Sequence, residues 1–138
     1  MKVITYTDGG SRGNPGPAAS GVYIQTEDGE ELARFGTFLG TQTNNFAEYT
    51  AIIEALSWVK DHKEELSVSA VECRMDSQLA CRQLRGEYKV KHPQIQQLFM
   101  QVKHLMQEIS LPFSFVHVPR EHNTLADAEV NRALDNHI

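Results

Sequence analysis

The sequence predicts an α/β fold: one five-stranded mixed sheet, three antiparallel strands then two parallel ones, flanked by helices. Three observations carry this. Up to Thr43 the chain alternates β-branched and apolar residues between clusters of turn formers. From Asn44 the apolar period changes to three and four. Thereafter two strand-like runs, "SVSAVECRMD" and "LPFSFVHVP", are interleaved with helical segments. With 138 residues and 41% hydrophobic content, the chain has material for one core, and a single domain over residues 1–138 is expected.

Each element has its own signal. In "ITYTDGG" a β-branched strand runs to Asp8 and is expected to stop there, because Gly9, Gly10, Gly13, Pro15 and Gly16 follow. "AASGVYIQTEDGEELARFGTFLG" reads as a second and third strand joined at Asp28-Gly29, a dipeptide suited to the positive φ of a tight hairpin. Phe46, Tyr49, Ile52, Ile53, Leu56 and Val59 then mark a long helix, with Asn44 or Asn45 placed to cap it. The fourth strand ends at Asp76, and "SQLACRQLRG" has helix composition with Gly86 as its stop. Pro93 opens a third helix with an apolar stripe of Ile95, Leu98, Phe99, Val102, Leu105, Met106 and Ile109. "LPFSFVHVP" is the fifth strand, and "TLADAEVNRALDNHI" a closing helix capped by Thr124 or Asn123.

Bulk properties exclude several classes. The net charge of -5 gives no general basic field, so a polyanionic partner must be held locally or through cations. No apolar run approaches the roughly 20 residues of a membrane helix, so no membrane partner is expected. Cys73 and Cys81 have neither metal-ligand nor disulfide-framework spacing, and no signal-like apolar region opens the chain. A reduced, cytoplasmic protein is expected, with a monomer as the default.

In mixed sheets of this kind, ligands gather beyond strand ends. Asp8 closes the first strand and Asp76 the fourth, while Glu48 is expected in the first turn of its helix and Asp127 near the start of the last. Each acid alone has an ordinary reading: a turn residue, a helix-dipole partner or a cap. Together they can converge on one edge, where like charges repel unless a cation answers them. An all-oxygen cluster with no His or Cys at ligand spacing suits Mg²⁺ or Mn²⁺ rather than zinc. Two such ions about 4 Å apart are a phosphoryl-transfer arrangement.

The stretches "TDGGSRGNPGPAASG", "TNNFAEYTAI", "MDSQLACRQLRG" and "VPREHNTLADAEVN", in this order and across essentially the whole chain, resemble type 1 ribonuclease H. That family cuts the RNA strand of RNA–DNA hybrids. The resemblance implies the ribonuclease H-like fold and a two-metal mechanism leaving 5′-phosphate and 3′-hydroxyl ends. It also implies Asp8, Glu48, Asp76 and Asp127 as catalytic metal ligands for two Mg²⁺ or Mn²⁺ ions, with substrate bound. His122 matches the family's mobile histidine, a side-chain type suited to proton transfer. Asn14, Asn44, Asn45 and Gln78 fall on minor-groove contacts to the hybrid, where the 2′-hydroxyl distinguishes RNA from DNA, and Thr43 falls near a DNA phosphate. The glycines of the opening loop would let backbone approach the RNA sugar.

Some features depart from the family pattern. A basic helix with interleaved tryptophans is missing, since only "LRGEYKVKH" separates the second helix from Pro93; Arg82, Arg85, Lys89 and Lys91 offer a smaller positive patch. The sole tryptophan, Trp58, belongs to the long helix and is expected in or near the core. Glu129 stands where an apolar residue is usual, either exposed or perturbing the metal site, and Phe46 stands where a basic one is common. Two rival readings exist: another nuclease or strand-transfer enzyme on the same scaffold, integrase-like or junction-cutting, and a non-catalytic hybrid-binding module. The "NPGPAASG" and paired-asparagine signals weigh against the first, and the complete set of four carboxylates against the second.

Overall fold

The computed structural model describes residues 1–137. Strands β1 (Lys2–Ser11), β2 (Gly16–Thr26) and β3 (Glu31–Gln42) form the meander, followed by α1 (Asn44–His62), β4 (Ala70–Met75), α2 (Gln78–Leu84), α3 (Pro93–Ile109), β5 (Phe113–His117) and α4 (Thr124–Asp135). A single 3-10 turn at Arg120–His122 separates β5 from α4. The sheet order is β3-β2-β1-β4-β5, antiparallel between β1, β2 and β3 and parallel from β1 through β4 to β5. This is the predicted mixed sheet, with β1 at its centre.

The two faces are covered differently. Val3, Val22, Ile24, Tyr49, Ile52, Leu56, Val59, Val71, Met75 and Val102 belong to the main core, which α1, α2 and α3 close. The opposite face is covered by α4 over β1, β2 and β3, with a small cluster of Ala19, Val130 and Leu134. Close approach of the helices depends on missing side chains. A Cβ at Gly21 would lie 2.1 Å from the Ala126 carbonyl oxygen of α4, and one at Gly9 would lie 2.2 Å from the Ala47 backbone of α1. Both helices therefore ride on strand backbone, and both carry site residues.

Several local expectations are corrected. β1 does not stop at Asp8. Its parallel ladder with β4 ends at Thr7↔Met75, but its antiparallel ladder with β2 continues through Asp8↔Gly21 to Ser11↔Ala18. Glycine weakens a strand without forbidding it where one ladder persists, and Gly9 is required there by the contact with α1. Neither Asn44 nor Asn45 caps α1. Thr43 is extended and its hydroxyl accepts from the Phe46 N–H at 3.2 Å, leaving the asparagines as the first helical residues. Glu48 consequently sits in the second turn, the first turn holding no acid. α4 begins after Asn123, but the Asn123 side chain makes no cap; its amide donates to the Thr7 carbonyl at 2.8 Å. Ser77, rather than Asp76, caps α2 by accepting from the Ala80 N–H.

Glu129 is buried at 1% exposure, beneath Gly36 of β3, and it pairs with Arg132 at 2.9 Å. It therefore belongs to the α4–β3 contact and is not among the acids that meet at the cluster described below. Trp58 is half-buried and stacks on His62. Residues 85–92 between α2 and α3 form no helix; Arg82 and Arg85 both approach Glu87, at 3.7 and 3.8 Å. Among the described residues no helix is long and apolar enough to cross a membrane.

Candidate active site

Because β1 and β4 run parallel and their ladder ends at Thr7↔Met75, the next residue on each strand is an aspartate: Asp8 on one, Asp76 on the other. β4 stops there while β1 goes on, which leaves a notch at the sheet's centre. α1 crosses this notch, held close by Gly9, and brings Glu48 down from its second turn. Each of Asp8, Glu48 and Asp76 contributes a carboxylate oxygen, all within 4.8 Å of one another.

Asp127, in the first turn of α4, does not join that trio. It reaches the same cleft from the other side of the sheet, where its charge acts on Asp8. The four predicted acids thus share one site as three plus one.

The cluster is electrostatically strained without a cation. Burial, then the charge of Asp76, then the nearby Asp127 raise Asp8 to about 8, against the opposing Gly9 N–H, which donates to its Oδ1 at 3.0 Å. Burial first, then Asp8 and Asp76, hold Glu48 well above the usual carboxylate range, partly offset by the Gly9 amide and Arg120. Asp76 Oδ2 is buried with no hydrogen-bond partner among protein groups. Crowded oxygens, one of them orphaned, are what a hard divalent cation would satisfy.

The cleft has a volume of about 450 Å³ and is walled by Asp8 to Arg12 of β1 and its loop, Asn44 and Glu48 of α1, Arg120, and the α4 face from Asp127 to Leu134. Arg120 was not singled out from the sequence, yet its charge acts on Glu48 from the 3-10 turn. A lone arginine in "VPREHN" carries no spacing signal; only its place beside the predicted histidine pointed to it. His122 is exposed and lines a separate hollow with Tyr6, Gln25, Thr124 and Leu125.

Of the predicted substrate residues, Asn44 lines the cleft and Asn14 is bonded to it. Asn44 Oδ1 accepts from both the Ser11 N–H at 2.8 Å and the Ser11 hydroxyl at 3.1 Å, while the Asn44 N–H donates to Asn14 Oδ1 at 3.0 Å. The opening loop is thereby tied to the start of α1. Asn45 is exposed beside it, Thr43 is engaged as the α1 cap, and Gln78 is exposed at the first position of α2.

An α/β sheet of this order with acids converging beside its central strands is the ribonuclease H-like arrangement. The family model that matches, over residues 6–133, is described as reverse transcriptase-like. Among solved structures, LC11-RNase H1, obtained from compost by a metagenomic approach and crystallised with an RNA/DNA hybrid, superposes with a TM-score of 0.92. It shares 45% sequence identity, covering 97% of each chain. RNase H1 of Halobacterium salinarum superposes with a TM-score of 0.89 at 39% identity, covering 99% of both. The bifunctional protein Rv2228c of Mycobacterium tuberculosis is 40% identical over 136 residues, which is 98% of this chain and 36% of that protein. Ribonuclease HI of H. salinarum is 40% identical over 134 residues, 97% of this chain and 65% of that one. The chain thus spans between about a third and two thirds of the length of these curated relatives. It belongs to the type 1 ribonuclease H family.

Proposed function

We propose that this chain is a metal-dependent endoribonuclease that hydrolyses the RNA strand of RNA–DNA hybrids, leaving 5′-phosphate and 3′-hydroxyl ends. The observation that carries the reading is the triad of carboxylate oxygens from Asp8, Glu48 and Asp76, all within 4.8 Å of one another. Relatives crystallised or named as ribonuclease H support it, one of them holding an RNA/DNA hybrid.

The donor set fits two Mg²⁺ or Mn²⁺ ions, being all oxygen with no thiolate or imidazole. Asp8, Glu48 and Asp76 would hold one, and Asp127, which lines the same cleft as Asp8, would complete a second site with it. Bound ions supply Lewis acidity, lowering the pKa of water and neutralising charge on the leaving oxygen. The protein's share is to position and to move protons. Asp8 must release the proton its surroundings favour before it can act as a ligand. Arg120 provides a fixed positive charge at the Glu48 side of the cleft. His122, exposed at the margin, is the group to exchange a proton with departing product.

Asn14, Asn44 and Asn45, at the start of α1 and the loop bonded to it, would offer short polar groups to the sugar edge of the minor groove, as would Gln78 at the start of α2, with the Thr43 hydroxyl toward a phosphate. The buried free thiols Cys73 and Cys81 support a reducing, cytoplasmic setting, and we take the working unit to be a monomer.

Incubation with matched RNA–DNA, RNA–RNA and DNA–DNA duplexes in Mg²⁺ or Mn²⁺ tests this directly. Cleavage confined to the RNA strand of the hybrid is expected, and Asp8→Asn or Asp76→Asn should abolish it while the far-UV circular dichroism is retained. Cutting of DNA instead would favour an integrase-like or junction-cutting enzyme, and hybrid binding without cleavage in either ion would favour a binding module.

A further inference from the structure

Arg12 and Arg120 are the two cationic side chains that line the acidic cleft. Arg120 lies with the carboxylates, whereas Arg12 is four residues beyond Asp8, about 13 Å along the chain at the ~3.3 Å rise of a strand. A polynucleotide strand carries one phosphate per about 3.4 Å of helix axis, so several phosphates fit within that length while the carboxylate end engages one. The whole chain carries a net charge of -5, so the remaining phosphates need a local cation.

In the structure Arg12 Nη2 rests on Asp135 Oδ1 at 2.6 Å, joining the β1–β2 loop to the last residue of α4. The two side chains are 52% and 65% exposed, and an ion pair so solvated holds weakly. A phosphodiester offers the planar guanidinium fork two charged non-bridging oxygens that it can engage together.

We propose that Arg12 grips a phosphate of the strand being cut, away from the scissile position, and that Asp135 is its resting partner, exchanged for phosphate when substrate enters. This rests on the cleft being the hybrid site. Asp135 then acts as a competitor for Arg12, and a purely structural staple between loop and helix predicts something different. A staple makes loss of either partner equivalent; a competitor makes the two losses opposite in sign.

The test is a double-mutant cycle on a fluorescein-labelled RNA–DNA hybrid, read by anisotropy in EDTA at several salt concentrations and by KM and kcat in Mg²⁺. Arg12→Ala should weaken binding about five- to tenfold at low salt, flatten the log Kd against log salt slope by about one, and raise KM more than it lowers kcat. Arg12→Lys should recover most of the slope. Asp135→Asn should tighten binding about two- to fivefold when Arg12 is present and leave it unchanged in the Arg12→Ala background.

An Arg12→Ala slope equal to wild type would overturn the inference. So would equal tightening by Asp135→Asn in both backgrounds, which marks a general field effect. Equal losses of melting temperature in both single variants with no change in Kd would show a staple. Failure of the wild type to cleave the hybrid would instead refute the proposed activity, and the anisotropy cycle would still decide the role of Arg12.

Discussion

Burial and two neighbouring acids raise Asp8 from 3.8 to about 8, which ties stability to pH. Between those values the folded metal-free protein holds a proton that the unfolded chain has released, so stability must fall as pH rises from about 4 to about 8 and level off above. Melting curves in EDTA across that range should show the decline. Asp8→Asn removes the ionisable group, and above pH 8 it should melt at least about 3 °C higher than wild type, equivalent to about 1 kcal/mol, even though it should lose cleavage. The two residues of the 3-10 turn should separate kinetically. Arg120→Ala removes the charge that holds Glu48 down, so the acid limb of the pH–rate profile should move to higher pH. His122→Ala should lower kcat about 10- to 100-fold with the acid limb unmoved. The acids were legible in the sequence because each lies in or next to a strand or helix with a strong pattern, although β1 runs past Asp8 and Glu48 falls in the second turn of α1. Arg12 and Arg120 were not, because a loop arginine has no period and only the folded cleft shows which way it faces.

At the scale of elements, the placement of α4 governs whether Asp127 reaches the cleft, and two glycines of the sheet give opposite forecasts. At Gly21 an added methyl would meet the Ala126 carbonyl at 2.1 Å and Val130 at 2.9 Å, so Gly21→Ala must push α4 away and should cost more than about 3 kcal/mol, with loss of cleavage. At Gly10 its nearest neighbour is a Val130 methyl at 3.8 Å, so Gly10→Ala should fold with near wild-type stability. Urea titrations of both variants check the contrast. Glu129 gives a second test. Arg132→Ala strands a buried carboxylate and should destabilise by about 2 kcal/mol or more, whereas Glu129→Gln, which removes the charge, should cost less. Helix and strand existence was readable from apolar period, composition and the residues that stop or cap an element. The ends were less so: Thr43 took the cap expected of Asn44 or Asn45, and β1 overran Asp8, because a ladder on one side and contact with α1 outweighed the local preferences of glycine. Burial of Glu129 was equally unreadable, since nothing local reveals that Gly36 leaves room for a helix to settle over β3.

Across the whole molecule, the sheet gathers parts that are distant in sequence: Asp8 and Asp127 lie at opposite ends of the chain, and Glu48 and Asp76 between them. Assembly of the site therefore reports assembly of the fold, and Mg²⁺ or Mn²⁺ binding should raise the melting temperature of wild type while leaving Asp8→Asn unaffected; differential scanning fluorimetry with each ion reads this. The mixed topology itself was legible, because three strand signals preceded the first helix and two followed it. Which strand would be central was not, since pairing between β1 and β4 spans the meander and α1. That central position has a consequence for synthesis on the ribosome. β2 and β3 emerge directly after β1 and can zip onto one of its borders by short-range closure, but the other border waits for a partner more than sixty positions downstream. Until then the nascent chain displays a bare, sticky ribbon of backbone amides and carbonyls, and this interval is where crowding between neighbouring polysomal chains, or the shelter of a chaperone, would decide the yield of protein.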